Sequence, residues 1–212
     1  SLIMKVTKSL KYSFIVLLAF IVKSHAQEDY SVIKGQFALG LNAPSQSGFV
    51  NPFEAKGVNF PTINLGLQYM FKAQLGAKLD FGYNRISNGS DSPDFKLNYT
   101  RINAQFVYDL TPKAYFLPIG TGLVLHAGPG YSMIKPLAEY GENKTSFLNA
   151  MAGFEFYYTL TRTTSVYFDT SYIYSFAGDF EPVTEGFGSF NGNLLNVTVG
   201  LSLSLSGCRT CN

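Results

Sequence analysis

Apolar and polar residues alternate with a period of two across most of this chain, in eight separate stretches between residue 32 and residue 205. Successive side chains of an extended strand point to opposite faces, so this period predicts strands and speaks against helices, whose period is 3.6. The first stretch, near 32–42, sets Phe37, Leu39 and Leu41 against Gln36, Ala38 and Gly40. The second, near 60–71, sets Ile63, Leu65, Leu67, Tyr69 and Phe71 against Asn64, Gly66 and Gln68. In the third, Leu75, Ala77, Leu79, Phe81 and Tyr83 oppose Gly76, Lys78, Asp80, Gly82 and Asn84. In the fourth, Ile102, Ala104, Phe106 and Tyr108 oppose Arg101, Asn103 and Gln105.

The second half repeats the pattern. Leu123, Leu125 and Ala127 oppose His126, Gly128 and Gly130 in a stretch that Pro118 and Pro129 interrupt. The sixth stretch centres on Leu148 to Tyr158, the seventh on Val166 to Phe176, and the eighth sets Leu195, Val197, Val199, Leu201, Leu203 and Leu205 against Asn196, Thr198, Gly200, Ser202 and Ser204. Long connections are expected near 43–59, 87–96, 132–146 and 177–192, and short ones at 72–73, 111–118 and 161–164. The reading is all-β: an eight-stranded antiparallel up-and-down barrel.

Alternation alone also suits a soluble barrel with its apolar stripe inside. The other stripe discriminates. It consists mainly of Gly, Asn, Gln, Ser and Thr, whereas a water-facing surface carries about 25–35% charged residues. Charged residues make up only 14% of the whole chain, against about 25% in typical soluble proteins. Aromatic residues make up 16%, and they gather at strand ends: Phe71, Tyr108 and Tyr158 at one end, Tyr83, Tyr131 and Tyr174 at the other. That distribution matches the aromatic girdles of a membrane interface. The apolar stripe is therefore predicted to face lipid and the small polar stripe to fill the lumen, in a transmembrane β-barrel.

The start of the chain reads as an export signal. Lys5, Lys8 and Lys11 precede an apolar run from Ser13 to Val22, followed by Ser24-His25-Ala26. A basic start, a short apolar middle and a small-residue exit predict a cleaved signal peptide over 1–26, with Met4 as the initiator and the mature chain starting at Gln27. Removing that segment changes 16 basic and 14 acidic residues to 12 and 14, a net charge of −2. No nucleic-acid footprint remains. The barrel is expected over 27–206, with 207–212 as a periplasmic tail.

With these features in place, the chain resembles the OmpA/OmpX-type eight-stranded outer-membrane barrels. The segments Arg101 to Leu110 and His126 to Tyr131 are similar in style to that group. The resemblance implies insertion in the outer membrane of a Gram-negative bacterium, with long loops outside and both termini in the periplasm. The chain departs from the group at its end, where Leu205 is followed by Ser206 to Asn212 rather than by a final aromatic residue.

Several constellations can carry chemistry. Lys78, Asp80, Arg101, Glu155 and Asp169 are predicted to form a lumen charge network, with Lys34 a further candidate. Asp80 and Arg101 should come nearly opposite each other. Glu155 and Asp169 should do the same, and two facing carboxylates need a cation, for which Lys78 and Arg101 are the expected partners. A general acid/base site or a gated pore is one reading of this network, and a plug of mutually satisfied charges is the favoured one. His126, the sole histidine after cleavage, is expected to pack in the lumen. Cys208 and Cys211 are candidates for a disulfide or an incidental pair. No metal or cofactor is expected, since one Cys-x-x-Cys supplies only two ligands.

Phe49, Phe53, Phe180, Phe187 and Phe190 lie in long polar segments beside Asp179, Glu181 and Glu185. They can form a contact surface, pack the loops together, or rest on lipid headgroups. The functional expectation is a non-enzymatic structural or surface-interaction barrel, with an accessory role in an envelope complex a further option. Its partners would be outer-membrane lipid, lipopolysaccharide and other envelope proteins, reached through the loops or the barrel wall. The alternatives are a lipid- or lipopolysaccharide-modifying enzyme built on His126 with Glu155 and Asp169, and a small-solute pore.

Overall fold

The computed structural model describes residues 32–181 and 188–205, which form a closed barrel of eight antiparallel strands in sequence order. They are β1 (Val32–Pro44), β2 (Asn59–Met70), β3 (Leu75–Ser87), β4 (Lys96–Asp109), β5 (Thr121–Pro136), β6 (Thr145–Thr159), β7 (Thr164–Ser175) and β8 (Leu194–Ser204). β1 pairs with both β2 and β8, so no strand edge is left to template aggregation. The predicted export segment 1–26, Phe187, Cys208 and Cys211 fall outside the described residues.

Two expectations about the connections need correction. β5 does not give way to a loop at 132 but continues to Pro136, so the β5–β6 loop is only 137–144. Pro129 lies on the outward stripe and pairs with Ala150 of β6. Towards β4 the ladder passes from Asn103↔Gly130 to Phe106↔Ala127 without a change of register, because the missing proline N–H costs one rung and not the strand. The β4–β5 connection, 110–120, is consequently longer than both 88–95 and 137–144, and the alternation of long and short is not strict.

Polarity is inverted relative to a soluble barrel. Leu67 (52% exposed), Leu79 (51%) and Phe106 (54%) point outward, whereas Gln68, Asp80 and Gln105 on the same strands are at most 3% exposed. Tyr131, Tyr158, Tyr174 and Phe71 are exposed on the same wall, towards its two ends.

The lumen is layered. At the end near the 71–74, 110–120 and 160–163 turns, Met70, Val107 and Val124 form a small apolar cluster with Val32 and Tyr157 packed on it. At the other end, Ile86, Leu97, Tyr99, Ile134, Phe147, Met151, Ile173 and Leu194 fill the interior together with Phe53, Phe95 and Phe190 from the loops. Charged and amide side chains occupy the space between. An eight-stranded barrel is only wide enough for its own side chains.

Candidate functional site

Three ion pairs are buried in the middle of the lumen. Arg101 Nη1 lies 2.6 Å from Asp80 Oδ2, His126 Nε2 lies 2.7 Å from Asp169 Oδ2, and Lys78 Nζ lies 3.7 Å from Glu155 Oε2. All five predicted network residues are thus brought together, and His126 joins them as a sixth. Glu155 and Asp169 face each other directly across β6 and β7 as expected, yet each has its own partner, Lys78 for Glu155 and His126 for Asp169. Arg101 does not serve this pair. It faces Gly82 across β3 and β4, so its long side chain reaches diagonally to Asp80. Lys34 sits at the barrel end, 5.8 Å from the centre of the Tyr157 ring.

Glycine makes room for two of the large side chains. A Cβ on Gly82 would stand 2.6 Å from Arg101 Nε, and one on Gly153, which faces His126, would stand 2.8 Å from His126 Cε1. At these two places the lumen stripe sets a bulky side chain opposite a residue with none.

Amides connect the pairs into one network. His126 Nδ1 contacts Gln105 Oε1 at 2.5 Å, and Gln105 Nε2 donates to Asp80 Oδ2 at 3.5 Å. Arg101 also donates to Asn103 and Asn64, each at 3.1 Å. Asn103 donates to Asn149 at 2.6 Å, Asn149 to Ser132 at 2.8 Å, and Ser132 shares a 2.7 Å bond with Tyr99. Gln36 Nε2 donates to both carboxylate oxygens of Glu155, at 3.1 and 3.0 Å. Both nitrogens of His126 lie within hydrogen-bond distance of side-chain oxygens, Gln105 Oε1 and Asp169 Oδ2.

This geometry is not that of a nucleophile site. Ser171 Oγ donates to Asp169 Oδ1 rather than to the histidine, so hydroxyl and imidazole share one carboxylate. A nucleophilic serine needs the imidazole as its proton acceptor. Among the described residues, no group of three or more His, Cys, Asp or Glu side chains is placed to hold a metal ion.

The loop aromatics turn inward. Phe53 and Phe190 are buried, at 2% and 0% exposure, and Phe49 packs on both Phe190 and Phe95, with ring centres 4.7 and 5.4 Å apart. Tyr140 meets Phe53 edge-on at 5.3 Å. These rings cap the lumen instead of forming an exposed contact surface, because the lumen end beneath them is itself apolar and takes them out of water. Phe180 stands apart, half-buried beside a cavity against β5 and β6. The residues that sequence reasoning missed are the inward apolar side chains Ile86, Leu97, Ile134, Phe147, Ile173 and Leu194. The signal was present: each falls on the polar stripe of its strand when the parity is carried to the strand's end.

Solved structures share this architecture at low sequence identity and high coverage. A major outer membrane protein from Thermus thermophilus superposes with a TM-score of 0.56 at 10% identity, covering 83% of this chain and 100% of that one. Neisserial surface protein A gives 0.54 at 12% identity, covering 82% and 97%. The outer membrane protein OprG from Pseudomonas aeruginosa gives 0.51 at 13% identity, covering 82% and 95%. At such identity these likenesses carry the fold alone. A comparison with curated proteins finds no match. The family model described as outer membrane protein beta-barrel domain matches residues 13–202, and the chain belongs to that family of bacterial outer-membrane proteins.

Proposed function

We propose that this protein is a sealed, non-enzymatic barrel that anchors in the outer membrane and presents the four loops of its aromatic-capped end to the exterior. One observation carries the reading: the lumen is obstructed at three levels, by an apolar cluster at each end and paired charges between them. Neither a solute path nor access for a lipid substrate to His126 is consistent with that filling. In this reading residues 1–26 direct export and are removed, and both termini lie in the periplasm.

The surface offered to partners is carboxylate-rich. With the aromatic rings turned inward, Glu54, Asp91, Asp94, Glu139, Glu142, Asp179 and Glu181 are exposed on the loops. Such a face suits cationic patches on other envelope proteins, with electrostatics setting encounter more than affinity. The test is conductance of the purified protein in planar bilayers. A silent bilayer supports the sealed barrel, and discrete ohmic steps at single-protein level would overturn it.

A further inference from the structure

A row of cations follows one line of paired positions across the outer wall. Arg85 on β3 pairs with Asn98 on β4, and Asn98 pairs with Lys135 on β5. The β5–β6 ladder ends at Ile134↔Thr145, so the next position opposite Lys135 is Lys144. The row stands four residues beyond the apolar row Phe81, Ile102, Tyr131 and Leu148. Four residues of a tilted strand rise about 10 Å, which lifts the cations from the acyl region to headgroup depth. β1, β2, β7 and β8 together carry one basic residue, Lys34, at the opposite end.

These charges form no close ion pair. Among the described residues, the ion pairs within 4.0 Å are the three of the lumen, and none includes Arg85, Lys135 or Lys144. Like charges directly opposite across two strands repel. Arg85 is nevertheless held in place: its Nε and Nη2 donate to Tyr83 Oη at 3.3 and 3.0 Å, and that hydroxyl donates to Asn98 Oδ1 at 2.9 Å. Between Lys135 and Lys144 lies a cavity of about 630 Å³, with Met133 and Phe180 as apolar lining, Ser146 as a hydroxyl, and Glu142 as its single carboxylate. Lys96 is not counted in the site, since it lines a separate cavity with Asp94 and Glu139.

We infer that Arg85, Lys135 and Lys144 bind the phosphorylated headgroup of an outer-leaflet lipid, whose acyl chains run down the wall past Met133, Tyr131 and Leu148. An anion on this row relieves the repulsion between the lysines and meets a guanidinium already fixed by Tyr83. The apolar lining below continues into the lipid-facing belt, which selects a lipid-borne phosphate over a free one. The inference rests on the outward orientation of the loops proposed above.

The experiment titrates the purified full-length protein in zwitterionic detergent with three probes: bisphosphorylated lipid A, the same lipid A with both phosphates removed, and inorganic phosphate. Binding is read by native mass spectrometry. The expected result is that Arg85→Ser/Lys135→Ser/Lys144→Ser weakens binding of the phosphorylated lipid at least about tenfold and leaves the phosphate-free lipid unchanged. Equal binding of phosphorylated lipid to both proteins overturns the site, and displacement by inorganic phosphate at equal concentration overturns the lipid assignment. Heat-dependent gel migration verifies that the variant folds; if it does not, Lys144→Ser, outside the strands, replaces it, with a loss of about fivefold expected and equal binding overturning the site. Orientation is read separately, by labelling Asn143→Cys on intact cells with an impermeant maleimide. Absence of label refutes the orientation, not the binding chemistry.

Discussion

Arg101 and Asp80 are not directly opposed, yet their side chains meet at 2.6 Å across the lumen face of β3 and β4. Arg101 is fully buried and Asp80 is 2% exposed. Removing one partner leaves a charge in the interior with little solvation. Asp80→Ala is therefore expected to cost about 3–5 kcal/mol in unfolding free energy, while Asp80→Leu combined with Arg101→Met recovers most of it. Urea unfolding in lipid vesicles checks this, and additive losses in the double variant would contradict it.

Gly153 and Gly35 make a controlled pair. A methyl group at Gly153 would press on His126 and on the Ser171 hydroxyl, whereas at Gly35, on the outward face, the nearest atom is Leu205 Cδ1 at 3.7 Å. Gly153→Ala should lose about 1–3 kcal/mol by overpacking. Gly35→Ala should stay within about 0.5 kcal/mol. The same unfolding measurement separates them, and equal effects would mean that the lumen is looser than its contacts indicate.

Phe190 closes the aromatic-capped end of the lumen through Phe49 and Tyr99. Phe190→Ala should cost about 3–5 kcal/mol and expose the 176–193 loop to protease more rapidly. Conductance should remain absent, because the charge network below is untouched. Open channels in this variant would show that the cap alone seals the barrel.

His126 is expected to have no effect on membrane lipids. Cells carrying His126→Ala and cells carrying the unaltered protein should show identical lipid A and phospholipid profiles by mass spectrometry, since the imidazole is bonded to Gln105 and Asp169 and buried in the lumen. A product present only with the histidine would restore the enzyme reading.

Much of this fold could be read from the sequence, because strand parity is a local property. The direct opposition of Glu155 and Asp169 followed from two clean alternations and a tight turn at 160–163. Depth within the lumen was not legible. Ile86 and Ile173 share parity with Asp80 and Asp169 but lie in the apolar layer, and alternation does not tell one layer from the next. The partner of Asp169 was missed because His126 is 43 residues away on a non-adjacent strand, where only barrel curvature brings them together. The inward fold of Phe53 and Phe190 was equally hidden, since loop conformation is set by what lies beneath the loop.

The inverted polarity of the barrel comes down to which stripe of each strand meets the lipid. Spin labels placed one at a time on β2, at Ile63→Cys, Asn64→Cys, Leu65→Cys, Gly66→Cys, Leu67→Cys and Gln68→Cys, report this directly in reconstituted bilayers. The expected result is high collision with dissolved oxygen at 63, 65 and 67 and low collision with oxygen and with a water-soluble nickel reagent at 64, 66 and 68. Strong nickel collision at the even positions with shielding at the odd ones would contradict the inverted barrel.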